Sequence, residues 1–129
     1  MGSGELLETY DPVGDETPRA ARSAVARFAR QHIRDDRTLA AIALCVSEAV
    51  SNVVIHAYRG GKPGPAILKG WVEDSGLWVA VVDHGLGLVP RLDSPGLGMG
   101  LPLIAQATAE ADVRTGSGGT EVRMRFGIA

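Results

Sequence analysis

The stretch VAVVDHGLG, residues 79–87, decides the reading of this chain. An apolar run leads straight into Asp83, and Gly85 and Gly87 follow at alternate positions. A run of this kind closed by glycines reads as a buried strand that stops at the aspartate. Taken alone, Asp83 is either a strand-end cap or a carboxylate placed to accept a hydrogen bond from an exocyclic amine, as adenine offers. In the second case the glycines let a flat ring lie against the backbone.

Working outward, AILKGWVE (66–73) reads as a strand joined to LWVAVVD (77–83) by a turn at 74–76, an antiparallel hairpin. A second hairpin closes the chain: ADVRTG (111–116), the turn SGG (117–119) and TEVRMRF (120–126). Residues 5–10 read as a short first strand. Upstream of the first hairpin, Thr17 is expected as the N-cap of a helix, with Pro18 at its first position. Ala21, Val25, Phe28 and Ala29 recur there at helical spacing, while Arg19, Arg22, Arg27 and Arg30 fall mostly elsewhere. That basic face is either solvated or a docking surface for an acidic partner. Asp35 or Asp36 caps a second helix running to about Tyr58, where RGGKPGP ends it. The resulting order, β-α-α-β-β-loop-α-β-β, predicts an α+β two-layer sandwich, a mixed and largely antiparallel sheet with helices on one face. Residues 5–129 are expected to form one domain, and MGSG (1–4) reads as a tag or a disordered start.

Two further stretches carry chemistry. Between Arg37 and Arg59 the only formal charge at neutral pH is Glu48, with Asn52 one helical turn beyond it. A carboxylate in so apolar a helix emerges at the surface, pairs with an arginine, or stands at a pocket edge. At such an edge Glu48 can accept a proton and Asn52 can give an oxygen to a metal. His56 lacks a second histidine or cysteine at zinc-ligand spacing and reads as structural. The other stretch, GLGMGLPLIA (96–105), sets glycines at 96, 98 and 100 ahead of a helix expected over 101–109. The unpaired N–H groups at a helix start favour phosphate. This is no Walker A loop, because no Lys-Ser or Lys-Thr follows, and it lacks the G-x-G-x-x-G spacing of a dinucleotide fingerprint.

Composition narrows the classes. The chain has 129 residues, 45% of them hydrophobic and 22% charged, with a net charge of −2. No basic excess advertises nucleic acid as a direct partner. The single Cys45 excludes an internal disulfide, suits a reducing cytoplasm and reads as a small buried hydrophobe. The run 38–58 has membrane-spanning length but contains Ser47, Glu48, Ser51, Asn52 and His56, so it is expected to be a buried helix rather than a membrane span.

In combination these segments resemble the histidine-kinase-like ATPase superfamily, the Bergerat fold. SEAVSNVVIHAY (47–58) is similar to its N box, VVDHGLG to the first glycine box, GLGMGL to the second and GGTEVRM to the closing strand. Within the superfamily the N box most resembles that of anti-sigma factor serine/threonine kinases. Sensor histidine kinases usually carry Lys or Arg where this chain has Ile55. The resemblance implies ATP and Mg²⁺ as cofactors, with Asn52 coordinating the metal. It implies that Asp83 binds the adenine amine, helped by Thr120 through water, and that Gly85 and Gly87 shape the adenine pocket. Gly98, Met99, Gly100 and Leu101 would contact phosphates through backbone amides, and Glu48 would be the general base.

The function so implied is a cytoplasmic anti-sigma factor that phosphorylates a Ser or Thr of a STAS-type antagonist and sequesters a sigma factor. The resemblance also allows a homodimer, for which no residue carries a signature. The alternative is a nucleotide-binding switch module with little or no kinase activity. The segment 88–95 favours that alternative, being shorter than the ATP lid of well-equipped members, with Arg91 as its only basic residue. Glu48 favours the kinase.

Overall fold

The computed structural model describes residues 4–85, 110–116 and 118–128. Its elements run β1 (Glu5–Tyr10), α1 (Thr17–Arg30), α2 (Asp36–Asn52), a π turn (Val53–Ala57), β2 (Ala66–Glu73), β3 (Gly76–Asp83), β4 (Glu110–Gly116) and β5 (Gly119–Gly127). The strands form a five-stranded sheet in the order β1-β2-β3-β5-β4. Every pairing among the described residues is antiparallel. The helix expected over 101–109 lies outside the described residues.

The β2–β3 hairpin closes through Asp74 and Ser75, both at positive φ (52° and 63°), between the paired Glu73 and Gly76. Positive φ at both central residues suits the right-handed twist of the flanking strands. Alternation then sorts the sheet. Leu68, Leu77, Val79, Val81, Val122, Met124 and Phe126 are buried on the face that meets the helices. On the other face Trp71 and Trp78, directly paired across β2 and β3, stack with centroids 5.9 Å apart and Arg123 lies over Trp71.

Helix α1 buries Ala21, Val25, Phe28 and Ala29, the stripe that the sequence spacing predicts, together with Ala24, and exposes Arg19, Arg22, Arg27 and Arg30. Phe28 packs onto the sheet over Gly70, where a Cβ would stand 2.8 Å from the ring. A glycine at that point lets helix and strand approach. The helix starts one residue earlier than the sequence suggests. Glu16 is the N-cap, and Thr17 is the first helical residue, buried, its hydroxyl accepting from the Gly14 N–H at 2.8 Å. The hydroxyl that was expected to cap the helix instead closes the tight turn before it.

Asp35 caps α2 as expected, its carboxylate accepting from the Thr38 N–H at 3.1 Å. The segment Asp36–Ala57 is apolar and long enough to cross a membrane by composition, but it packs as a core helix. Ile42, Cys45, Val46, Ala49, Val50, Val53 and Ala57 are buried in the shared core. Its last turn widens from α to π, a change the sequence pattern did not announce.

We expect Phe28→Ala to cost about 3–5 kcal/mol, the usual range for truncating a buried aromatic. Urea unfolding measures it; a loss below about 1 kcal/mol would mean that α1 is not clamped to the sheet through this ring.

Candidate functional site at the ends of β3 and β5

Asp83 is the last residue of β3 and stands opposite Thr120, the second residue of β5. Both are nearly buried, at 7% and 8% exposure, and they are two of the three buried polar or charged side chains among the described residues. The Asp83 carboxylate accepts from the Gly85 N–H at 2.8 Å. Burial raises its pKa above the ordinary carboxylate value; hydrogen bonds from the backbone of Gly85 and Thr120, and the nearby His84, oppose that rise. The Thr120 hydroxyl lies 3.2 Å from that of Thr115 on β4. An open recess of about 360 Å³ borders these groups, lined by Asp83, His84, Arg114, Thr115 and residues of the β4–β5 turn.

Two glycines are dictated by backbone contact. A Cβ on Gly85 would collide with the carbonyl of Ala57, the last residue of the π turn. A Cβ on Gly119, whose φ is +131°, would collide with the carbonyl of Asp83. The sequence singled out Gly85 as a place where a flat ring could lie against the backbone; the group found close to it in the structure is the Ala57 carbonyl. The sequence reading passed over Gly119 except as part of the GGT run.

On α2, Glu48 and Asn52 occupy successive turns of one face, as their spacing requires. Both are partly exposed. Glu48 has no ion pair or hydrogen bond among the described residues, so of the readings left open by the sequence, pairing with a described arginine is not the one seen; its charge is felt at Cys45. Burial, and secondarily Glu48, push the Cys45 thiol up to about 11. The Asn52 Nδ2 is buried without a hydrogen-bond partner among the described residues. Native proteins seldom leave such an atom unpaired without a reason, and a missing ion or ligand is one of the recognised reasons. The His56 Nδ1 is 2.6 Å from the Arg59 guanidinium, and burial followed by that cation lowers its pKa. No cluster of three or more His, Cys, Asp or Glu suited to a metal occurs among the described residues.

Tyr58, which the sequence reading gave no role of its own, joins these parts. Its hydroxyl donates to the Pro65 carbonyl and accepts from the His84 N–H at 3.0 Å. The signal available in the sequence was an aromatic residue ending an apolar helix just before a glycine-proline loop. The remaining expected contacts, Gly87, Gly98, Met99, Gly100 and Leu101, lie outside the described residues, as does the segment 88–95 with Arg91.

Fold and site together define a two-layer α+β protein with a buried acidic group at the open end of a central strand. The histidine kinase-like ATPase domain model matches residues 13–126, and the chain belongs to that family. An anti-sigma F factor of Caldanaerobacter subterraneus subsp. tengcongensis is 34% identical over 116 residues, covering 81% of this chain and 80% of that protein. The anti-sigma F factor of Pasteuria penetrans is 33% identical over 122 residues, covering 84% and 81%. Among solved structures, the RsbU and RsbW domains of a Mycobacterium tuberculosis protein match with a TM-score of 0.77 at 22% identity, over 96% of this chain and 32% of that one. A histidine kinase domain from a blue-light activated kinase of Erythrobacter litoralis matches at 0.61 and 30% identity, over 70% and 45%. This chain therefore spans less than half the length of either solved protein.

The raised Asp83 pKa has a signed consequence. A carboxyl whose pKa rises on folding holds its proton more tightly in the native state. Stability therefore falls as pH climbs from the ordinary carboxylate value through the raised one, and the cost is fully present at neutral pH. We expect the stability difference between Asp83→Asn and the parent to shift in favour of the variant as pH rises through that window. Urea unfolding across the acid range reads it; a pH-independent difference contradicts the assignment. Separately, Gly119→Ala should cost about 1–3 kcal/mol or more from the strained φ and the blocked Asp83 carbonyl.

Proposed function

We propose that this chain is an ATP-binding anti-sigma factor of the protein serine/threonine kinase type, with residues 5–129 as its single domain. In this reading it transfers the γ-phosphoryl group of ATP to a Ser or Thr hydroxyl of a STAS-type antagonist, holds a sigma factor, and works in the cytoplasm. The observation that carries the proposal is Asp83, a buried carboxylate kept at a strand end against its desolvation cost in a family of ATPase domains. The 33–34% identity to anti-sigma F factors supports the regulatory half.

Each described residue has a chemical task in this proposal. Asp83 accepts from the adenine amine, while Thr120 beside it offers a hydroxyl to a bridging water. Guanine carries a carbonyl where adenine carries that amine, so a carboxylate here selects adenine. Asn52 fits Mg²⁺ through its amide: the group is half-buried, its Nδ2 has no partner among the described residues, and exchanging the amide oxygen and nitrogen turns the acceptor to the same place. Magnesium usually takes few protein ligands beside substrate phosphates, consistent with the lack of an acidic cluster among the described residues. When bound, it supplies charge neutralisation at the phosphates. Glu48, one turn away and without a partner among the described residues, takes the proton of the attacking hydroxyl. Such transfer depends mainly on positioning and electrostatics, with a placed base contributing typically 10²–10⁴-fold. Gly87, Gly98, Met99, Gly100 and Leu101 complete the proposal as pocket-shaping and phosphate-binding positions. A homodimer belongs to the proposal too; nucleic acid and membrane do not.

The test is transfer of labelled γ-phosphate to purified STAS-domain proteins from the same genome. The parent chain should label a Ser or Thr on one of them, and Glu48→Ala should lower the rate by roughly 10²–10⁴-fold while ATP affinity is kept. Undiminished transfer by Glu48→Ala removes it as the base. No labelling by the parent chain, with nucleotide still bound, favours the switch module.

A further inference from the structure

The end of the π turn, the loop leading into β2 and the turn after β3 meet at one hydroxyl. Tyr58 follows Ala57 directly. Its single proton is committed to the Pro65 carbonyl, which leaves an oxygen lone pair for the His84 N–H at 3.0 Å. The ring lies against Gly64, where a Cβ would come within 2.6 Å of it, and the Gly64 carbonyl accepts from the Val13 N–H at 2.9 Å. On the other side of the Asp83–Gly85 turn, the Gly85 Cα faces the Ala57 carbonyl too closely for any side chain. The turn that carries Asp83 is thus gripped from the π turn at two successive residues, by backbone contact at Ala57 and by a hydrogen bond at Tyr58.

We infer that Tyr58 is a positioning residue for adenine recognition: its hydroxyl, bridging Pro65 and His84, fixes the turn whose Asp83 carboxylate reads the exocyclic amine. This rests on the reading of Asp83 as the adenine-binding group. A π turn within a helix widens the backbone by one residue and is frequent at functional sites. Here it delivers Ala57 and Tyr58 to the Asp83–Gly85 turn while Asn52, just before it, stays in register with Glu48. The helix that carries the proposed metal and base groups is therefore tied to the strand end that carries the base-reading group. Phenylalanine at 58 keeps the ring and its packing on Gly64, but leaves the Pro65 carbonyl and the His84 N–H without their partner. His84 is exposed, so water can take up its N–H, and the loss is that of one intramolecular hydrogen bond net of hydration, up to about tenfold in an equilibrium.

Two readouts test it, on the full chain. The first is amide hydrogen exchange of His84 and Gly85 without nucleotide in the parent and in Tyr58→Phe. The second is calorimetric titration of both with Mg·ATP and Mg·GTP. The expected result is faster exchange at His84, by up to about tenfold, ATP affinity lower by up to about tenfold, and GTP affinity changed less, so that the preference for ATP shrinks. Should Tyr58→Phe fail to fold, Gly64→Ala, which keeps the hydroxyl but displaces the ring, must give the same pattern. Unchanged exchange at His84 overturns the inference, as does an equal loss for ATP and GTP, which is what general loosening of the fold would give. Normal ATP binding by Tyr58→Phe, where the parent also binds, overturns this inference alone. Failure of the parent to bind either nucleotide overturns the nucleotide reading and this inference together.

Discussion

A carboxylate buried at the end of the central strand is the constraint on which the rest of the site depends. In the proposed role Asp83 must be desolvated enough to discriminate a hydrogen-bond donor, yet held by enough N–H groups to remain in the fold. The protein meets this by pairing Asp83 with Thr120 across β3 and β5 and by folding the chain back so that Gly85 donates to the carboxylate. Both devices need bare backbone. Gly119 must pass the Asp83 carbonyl, and Gly85 must pass the Ala57 carbonyl, in each case too near for a Cβ. The glycines flanking the aspartate in space thus answer to backbone packing.

The second helix supplies the other half. It is apolar because one face fills the core between α1 and the sheet, with Ile42, Cys45, Val46, Ala49 and Val50 all at 0–1% exposure. Against that background Glu48 and Asn52 stand out on the adjoining face, and the π turn carries the chain from Asn52 to Tyr58. One continuous helix therefore links the proposed proton acceptor, the proposed metal ligand and the strut on the Asp83 turn. A shift of α2 along its axis would be felt at all of these points.

Much of the fold was legible in the sequence because its signals are local and periodic. The stripe Ala21, Val25, Phe28, Ala29 gave α1, the alternation around Asp74 and Ser75 gave the first hairpin, and Asp35 announced the start of α2. Thr17 misled by one residue because a threonine hydroxyl serves a tight turn as readily as a helix cap. The π turn was illegible because it depends on where Ala57 must meet Gly85, a contact between residues far apart in sequence. Tyr58 escaped for the same reason: its two hydrogen-bond partners, Pro65 and His84, are distant or flank a loop. Asp83, Thr120 and Asn52 could be picked out, and the family resemblance already paired Asp83 with Thr120; what the residues alone did not give is the register that sets them opposite each other across β3 and β5.

The central claim is that this chain holds adenine nucleotide through Asp83, and calorimetric titration of ATP and ADP into the parent and into Asp83→Asn tests it most directly. Mg²⁺-dependent ATP binding by the parent, lost in a variant that still folds cooperatively, is the predicted result. Equal ATP affinity in the two proteins would contradict it.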